Sequence, residues 1–260
     1  LSVPSPGTPL APTTANALFL VALVPKRCRK LQIEIEIRQL EAALKRVRSR
    51  DGQGTVPRIR VVCEEERGRF LERLRDEASR VCDELHSQDR DPSFDLVLAA
   101  HSEWSDDGQI LEPRRGSNLL APTVWNTIIE AGGRVRGALL SYCGSAAQPM
   151  RSCSDVGLLI REQGALWAVG CDGPVDDEIL QHFDHGFLTN LYTRGLLDAY
   201  KEGWRGAEEK RRELISMRTR PAEDRLLPTL DNATARLVLA HRASTLDQSF
   251  RRPRGKGSNP

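Results

Sequence analysis

Residues 94–101 read FDLVLAAH, an apolar run that ends on a histidine, and residues 137–145 read GALLSYCGS, which places a cysteine just after a second apolar run. Both runs have the length of a short strand. A third run, Ala17–Val24, is apolar throughout, and this uniform character is typical of a strand buried on both faces of a parallel sheet. Together the three runs predict a buried sheet with reactive residues at its edge.

Segments with a helical spacing of apolar residues separate these runs. Strands that alternate with helices predict right-handed βαβ units, so we expect an α/β fold: a three-layer sandwich with a mostly parallel central sheet flanked by helices. Asp107-Gly108 predicts a hairpin turn within the polar stretch that follows His101. The predicted strands are Ala17–Val24, Arg58–Cys63, Phe94–Ala100, Gly137–Ser141 and Ala165–Cys171. The predicted helices are Leu31–Arg48, a segment containing Phe70–Leu85, Leu119–Ala131, Asp155–Glu162, Asp176–Thr193 and Leu196–Trp204.

The chain of 260 residues is long enough for one domain or at most two. Residues 1–14 contain four prolines and are predicted to be disordered. Residues 15–205 contain all the predicted strands and form the expected domain. Residues 206–260 are predicted to comprise a charged helix, Glu208–Arg220, and a loosely ordered basic tail.

Composition restricts the partners. The 38 Lys and Arg nearly balance the 36 Asp and Glu, so no nucleic acid partner is expected. No run approaches the roughly 18 apolar residues that cross a membrane. The six cysteines have neither CxxC pairs nor zinc-type spacing, so we predict reduced thiols in a cytoplasmic protein, with no metal and no cofactor.

His101 and Cys143 follow the ends of two predicted strands, where sites form in open α/β sheets. If those strands are neighbours, both side chains project into one crevice. A thiolate is a nucleophile, and an imidazole is able to take the thiol proton and return it to a leaving amine. The backbone N–H groups of Ser102 and Cys143 are candidate oxyanion donors, and Gly144 adds a backbone position without a side chain. Taken separately, either residue has an ordinary structural explanation, and only their joint placement points to catalysis.

These motifs, in this order, resemble the CHAT family of caspase-like cysteine peptidases. The resemblance runs from Ala17 to Trp204. It includes the apolar strand that closes on His101 and the strand followed by Ser141-Tyr142-Cys143-Gly144-Ser145. A later strand is followed by Val175-Asp176-Asp177-Glu178, which is similar to the family's Val-Asp-Asp turn. The resemblance implies a caspase-like fold, a Cys–His endopeptidase acting on protein substrates, and a regulatory or sensor partner.

Two positions depart from the family pattern. Ser102 stands where the family usually has glycine, and Gly173 stands where it tends to have tryptophan. The first change brings a side chain to the oxyanion site, and the second removes an aromatic wall from the substrate pocket. Asp176 and Asp177 either line that pocket and select a basic residue or cap the following helix, and capping is the favoured interpretation.

Two alternatives stay open. A catalytically weak or inactive caspase-like domain would serve as a protein-interaction scaffold, as Ser102 and Gly173 suggest, although retention of both His101 and Cys143 argues against it. A nucleotide-binding α/β domain is disfavoured, because the sequence has neither a GxGxxG nor a GxxxxGK[ST] loop.

Overall fold

Strands and helices alternate along most of the chain. The computed structural model of the protein describes residues 15–25, 30–51, 56–105, 108–146, 154–171, 173, 176–218 and 237–241, so the segment 1–14 lies outside the described residues. The strands are β1 (Ala17–Leu23), β2 (Arg58–Glu64), β3 (Ser93–Ala99), β4 (Ser102–Ser105), β5 (Gly108–Leu111), β6 (Leu119–Leu120), β7 (Arg134–Ser141), β8 (Trp167–Cys171) and β9 (Leu237–His241). The helices are α1 (Lys30–Asp51), α2 (Arg67–His86), α3 (Pro122–Glu130), α4 (Asp155–Arg161), α5 (Asp177–Arg194) and α6 (Leu196–Arg218).

The central sheet has six strands in the order β2-β1-β3-β7-β8-β9. The first five run parallel, and β9 pairs antiparallel with β8. Every residue of β1 is buried, because strands flank it on both sides and helices cover both of its faces. The prediction of an α/β fold with a mostly parallel sheet between helices is therefore confirmed.

Two helical layers cover the sheet. Strand side chains alternate in direction, so Phe19 packs with α2, α3 and α4 on one face while Leu20 packs with α1, α5 and α6 on the other. Full burial of an apolar side chain of this size contributes about 1.5–3 kcal/mol. Trp125 lies in the first cluster and Trp167 in the second, so both belong to the core.

Helices α5 and α6 pack together through glycines. A Cβ added to Gly186 would lie 2.7 Å from the carbonyl oxygen of Glu202, and one added to Gly203 would lie 2.8 Å from the ring of Phe183. Gly195, between the helices, has a φ of +83°, a conformation that favours glycine. The sequence therefore permits a close helical pair on the face of the sheet that also carries Asp177 and Asp184.

A second, three-stranded sheet has the order β4-β5-β6 and follows β3. Ser105 pairs with Gly108, so the strands are joined by residues 106 and 107, one position earlier than the predicted Asp107-Gly108 turn. Leu119–Leu120 pair with β5 instead of opening a helix, and α3 begins at Pro122. Proline suits the first helical turn because it has no N–H to satisfy there.

The chain after Gly195 also differs from the prediction. One continuous helix, α6, replaces the two that were expected, and the predicted domain boundary at residue 205 falls inside it. Ala207 is buried against the core, so the helix has no reason to break there. β9 lies in a segment predicted to be loosely held, and its backbone covers the edge of β8.

Among the described helices, none combines the length and the apolar composition needed to cross a bilayer.

Candidate active site

His101 and Cys143 lie beyond the carboxyl ends of two neighbouring strands. β3 and β7 are paired in parallel, with Ala99 opposite Ser141, and each candidate residue follows two positions later. The ladder continues past the last pair, since Ala100 N donates to Ser141 O at 3.4 Å. The condition on which the predicted pair depended, that the two strands are adjacent, is therefore met.

The segment before Cys143 is fixed by two buried carboxyl groups. The hydroxyl of Ser141 donates to Asp184 Oδ2 of α5 at 2.5 Å, and the hydroxyl of Tyr142 donates to Asp155 Oδ2 of α4 at 2.7 Å. These bonds lie on opposite faces of the sheet, because successive residues point to opposite sides. Cys143 is thus carried on a backbone that is held from both helical layers.

The segment after Cys143 is fixed by backbone contacts. Gly144 has a φ of +71°, its N–H donates to Gly173 O at 3.2 Å, and its carbonyl accepts a 3.4 Å bond from Gln109 Nε2. Ser145 Oγ donates to Leu140 O at 3.0 Å and accepts from Cys171 N at 2.9 Å. A left-handed φ favours glycine at position 144, and the turn as a whole is preorganised.

The side chain of Ser102 joins the two halves of the site. Its hydroxyl donates a 2.6 Å bond to the carbonyl oxygen of Cys143, and the residue is only 8% exposed. It therefore points inward and does not occupy the exposed side of the hairpin. The departure from glycine at this position adds a tether to the turn that carries Cys143.

The candidate oxyanion donors differ in availability. Glu112 N donates to His101 O at 3.1 Å, and antiparallel ladder bonds alternate, so the N–H of Ser102 points away from β5. β4 lies at the edge of its sheet, so among the described residues no strand of that sheet pairs with this side of Ser102. The N–H of Gly144 donates to Gly173 O, so in this conformation that group is already engaged within the protein.

Asp176 and Asp177 have different roles. Asp176 is the N-cap of α5, and its carboxylate accepts from Glu178 N at 2.9 Å, as the capping interpretation requires. Burial, the largest effect, raises the pKa of Asp177, Asp176 raises it further, and the charge of His101 opposes both. Asp177 therefore lies within electrostatic reach of His101. A Cβ added to Gly173 would contact nothing, so the missing aromatic wall leaves open space among the described residues.

Burial raises the pKa of two acids beneath the turn. The pKa of Asp184 rises to about 7 and that of Asp155 to about 6, and the bonds from Ser141 and Tyr142 only partly offset the loss of solvation. Neither acid is among the site residues predicted from the sequence. Asp184 gives a weak signal, because it stands next to Phe183 on a helix whose apolar side chains face the core. Asp155 gives no such signal, because it resembles any acidic residue in the first turn of a helix.

The exposed face of the β4–β5 hairpin carries further groups that the sequence analysis missed. One ligand-type atom each from His101, Glu103 and Glu112 lies within 4.8 Å of the others. Glu103 follows His101 at strand spacing, but the position of Glu112 depends on the register of the hairpin. A turn placed one residue later would have put a different residue opposite His101.

The fold is similar to a solved structure of known class. No protein-family model matches the chain, and no curated protein matches it. A secreted C11 cysteine protease from Bacteroides thetaiotaomicron, solved in complex with an irreversible peptide inhibitor, shares 8% sequence identity and superposes with a TM-score of 0.50. The similarity covers 76% of this chain and 60% of the protease chain. The chain thus spans less than two thirds of that protein, and the likeness shows a caspase-like α/β fold.

Proposed function

We propose that the chain is a cysteine endopeptidase of the CHAT type, with Cys143 as nucleophile and His101 as general base and acid. The observation that carries the proposal is their shared position beyond the carboxyl ends of the neighbouring strands β3 and β7. The tethered turn that presents Cys143 supports it, because a nucleophile must be held in a productive geometry. The caspase-like fold is consistent with this chemistry.

The proposed reaction has two halves. His101 accepts the proton of the Cys143 thiol, and the thiolate attacks the carbonyl carbon of the scissile peptide bond. The N–H groups of Ser102 and Cys143 stabilise the oxyanion, the C–N bond breaks, and His101 returns the proton to the leaving amine. Water then attacks the thioester carbonyl and passes a proton to His101, the C–S bond breaks to release the acid product, and His101 returns the proton to the Cys143 thiolate. These steps use groups of the protein alone.

The remaining predictions belong to the same proposal. Substrates are proteins. The carboxylate of Asp177, together with the open space beside Gly173, favours a basic substrate residue before the cleaved bond. A regulatory or sensor protein controls the activity in the cytoplasm, with neither nucleic acid nor membrane as partner. The scaffold alternative stays in place because of Gly173, whose position offers no aromatic wall to a substrate side chain.

A peptidyl covalent probe tests the proposal. Its labelling of the purified protein should vanish in Cys143→Ala and fall at least 100-fold in His101→Ala, as expected for loss of a general base. Cys63→Ala is the matched control, since Cys63 is another half-buried thiol in a parallel strand of the sheet, and its labelling should equal wild type. Equal labelling of all variants, or no labelling with any activating protein tried, would favour the scaffold.

A further inference from the structure

The β4–β5 hairpin presents three metal-ligating side chains on one face. Ser102 pairs with Leu111, and the bond from Glu112 N to His101 O extends the ladder by one pair, so His101 lies opposite Glu112. Glu103 is two residues from His101, and residues at that spacing share a face of the strand. Their ligating atoms lie within 4.8 Å of one another.

The opposite face of the hairpin is buried and fixes the backbone of these residues. Ser102, Gln109 and Leu111 are 8%, 3% and 0% exposed, and Leu111 belongs to the core. Ser102 and Gln109 also bond to the carbonyls of Cys143 and Gly144. The three candidate ligands therefore extend from a rigid ribbon, and only their side-chain torsions need to adjust to a shared ion.

The donor set selects a class of ion. Imidazole nitrogens and carboxylate oxygens are both zinc ligands, and a set of three protein ligands leaves a fourth position open to water, whereas calcium and magnesium prefer oxygen ligands alone. Ligands bonded at about 2.0–2.1 Å to a tetrahedral zinc lie about 3.4 Å apart. The ligating atoms, now within 4.8 Å of one another, would have to move closer to bind a tetrahedral zinc, and the exposed Glu103 and half-buried Glu112 are the side chains that would rotate.

We propose that His101, Glu103 and Glu112 bind a divalent first-row metal ion such as Zn²⁺, and that the bound ion switches the site off by occupying the imidazole of His101. The ion would use the lone pair with which His101 accepts the proton of the Cys143 thiol. The inhibitory half rests on the proposed function, whereas the binding half stands on the hairpin geometry alone. Asp177, within electrostatic reach of His101, adds negative charge that favours a cation.

Zinc titration of the purified protein against a chromophoric zinc indicator tests the binding half. Wild type should take up one ion, and Glu103→Gln, Glu112→Gln and His101→Ala should each weaken its affinity at least tenfold. Glu130→Gln and His182→Ala are matched controls at exposed positions away from the hairpin, and their affinity should equal wild type. Circular dichroism of every variant verifies that the fold is retained.

The Cys143→Ala variant separates this site from a site made by the candidate dyad itself. It should bind zinc as wild type does, because the thiol is not among the proposed ligands. Loss of zinc binding in Cys143→Ala with unchanged affinity in both glutamate variants would overturn the proposal, and so would equal affinity in every variant.

Probe labelling with and without zinc tests the inhibitory half. One equivalent of bound zinc should slow the labelling of wild type at least tenfold, and the Glu103→Gln/Glu112→Gln double variant should show a ratio near one at the same zinc concentration. Wild-type labelling that zinc at saturation does not slow would overturn the switch. If metal-free wild type does not label while the binding results hold, the proposed function fails and the metal site stands.

Discussion

Ser102 Oγ donates a 2.6 Å hydrogen bond to the carbonyl oxygen of Cys143. The residue that follows the candidate base is thereby bonded to the candidate nucleophile, across the junction between the hairpin and the end of β7. The two residues are 41 positions apart in the sequence, so the bond links two distant segments of the chain, as the bond from Gln109 Nε2 to Gly144 O also does. Ser102 is therefore part of the framework of the site.

Ser102→Ala should therefore slow probe labelling of Cys143. Loss of a half-buried hydrogen bond costs about 1 kcal/mol, which corresponds to about a fivefold lower second-order labelling rate if the bond fixes the turn. Ser87→Ala is the control, because Ser87 Oγ bonds only to the nearby Glu84 O on the surface among the contacts described. A rate for Ser102→Ala equal to that of wild type would show that the other tethers suffice.

Asp184→Asn should change the pH dependence of stability. The folded pKa of Asp184, about 7, lies above its ordinary value of 3.8, so the folded state binds more protons and wild type loses stability as pH rises from about 4 to about 7. The neutral amide removes this loss. Relative to wild type, the variant should gain on the order of 2 kcal/mol between pH 5 and 7 in urea unfolding. A constant difference between the two proteins across that interval would refute the assignment.

Gly137→Ala should destabilise the sheet. A Cβ at Gly137 would lie 2.0 Å from the indole of Trp167, its partner on β8, and the buried indole has little room to move. Overpacking of this kind costs about 1–3 kcal/mol. Gly68→Ala, on α2, is the matched control: its Cβ would meet nothing nearer than 3.7 Å, and alanine should stabilise the helix by up to about 1 kcal/mol. Thermal unfolding that ranks the two variants in the reverse order would contradict this account.

The sequence pattern predicted the central sheet because β1 is apolar along its whole length and the other parallel strands each contain a short apolar run. Ala17–Leu23 is buried at every position. A continuous apolar run of this length is typical of a strand buried on both faces of a parallel sheet. Leu119–Leu120 was assigned to a helix because two leucines before Pro122 fit a helical pattern equally well, and only pairing with β5 makes them a strand. Local secondary-structure propensity does not include that tertiary contact.

The candidate site, too, was predictable only in part from the sequence. His101 and Cys143 each follow the carboxyl end of one of two neighbouring strands, and these positions follow from the alternation of strands and helices. Asp184 reaches Ser141 from a helix 43 residues away, and no local pattern encodes that distance. Glu112 comes opposite His101 only when residues 106 and 107 connect the hairpin, so a shift of one residue in the predicted turn concealed it.

Tyr142→Phe tests whether the second tether of the turn depends on charge. The hydroxyl of Tyr142 donates to Asp155 and lowers the pKa of that acid, which burial has raised to about 6. A bond that lowers a pKa is stronger to the carboxylate than to the neutral acid, so its contribution to stability grows as pH rises through about 6. Removal of the hydroxyl also leaves a buried carboxyl unsatisfied, at a cost of about 1–3 kcal/mol.

The destabilisation of Tyr142→Phe should therefore be larger at pH 8 than at pH 5, measured as the difference in free energy of unfolding from wild type in urea. The cost of the same Tyr142→Phe change in an Asp155→Asn background, measured against Asp155→Asn alone, should not depend on pH across this interval, because neither protein of that pair carries the titrating carboxyl. A cost for Tyr142→Phe that is the same at both pH values would mean that the hydroxyl acts only by filling space. In that case the position of Cys143 would depend on the Ser141 and Ser102 bonds, and Ser102→Ala should then have the larger effect on labelling.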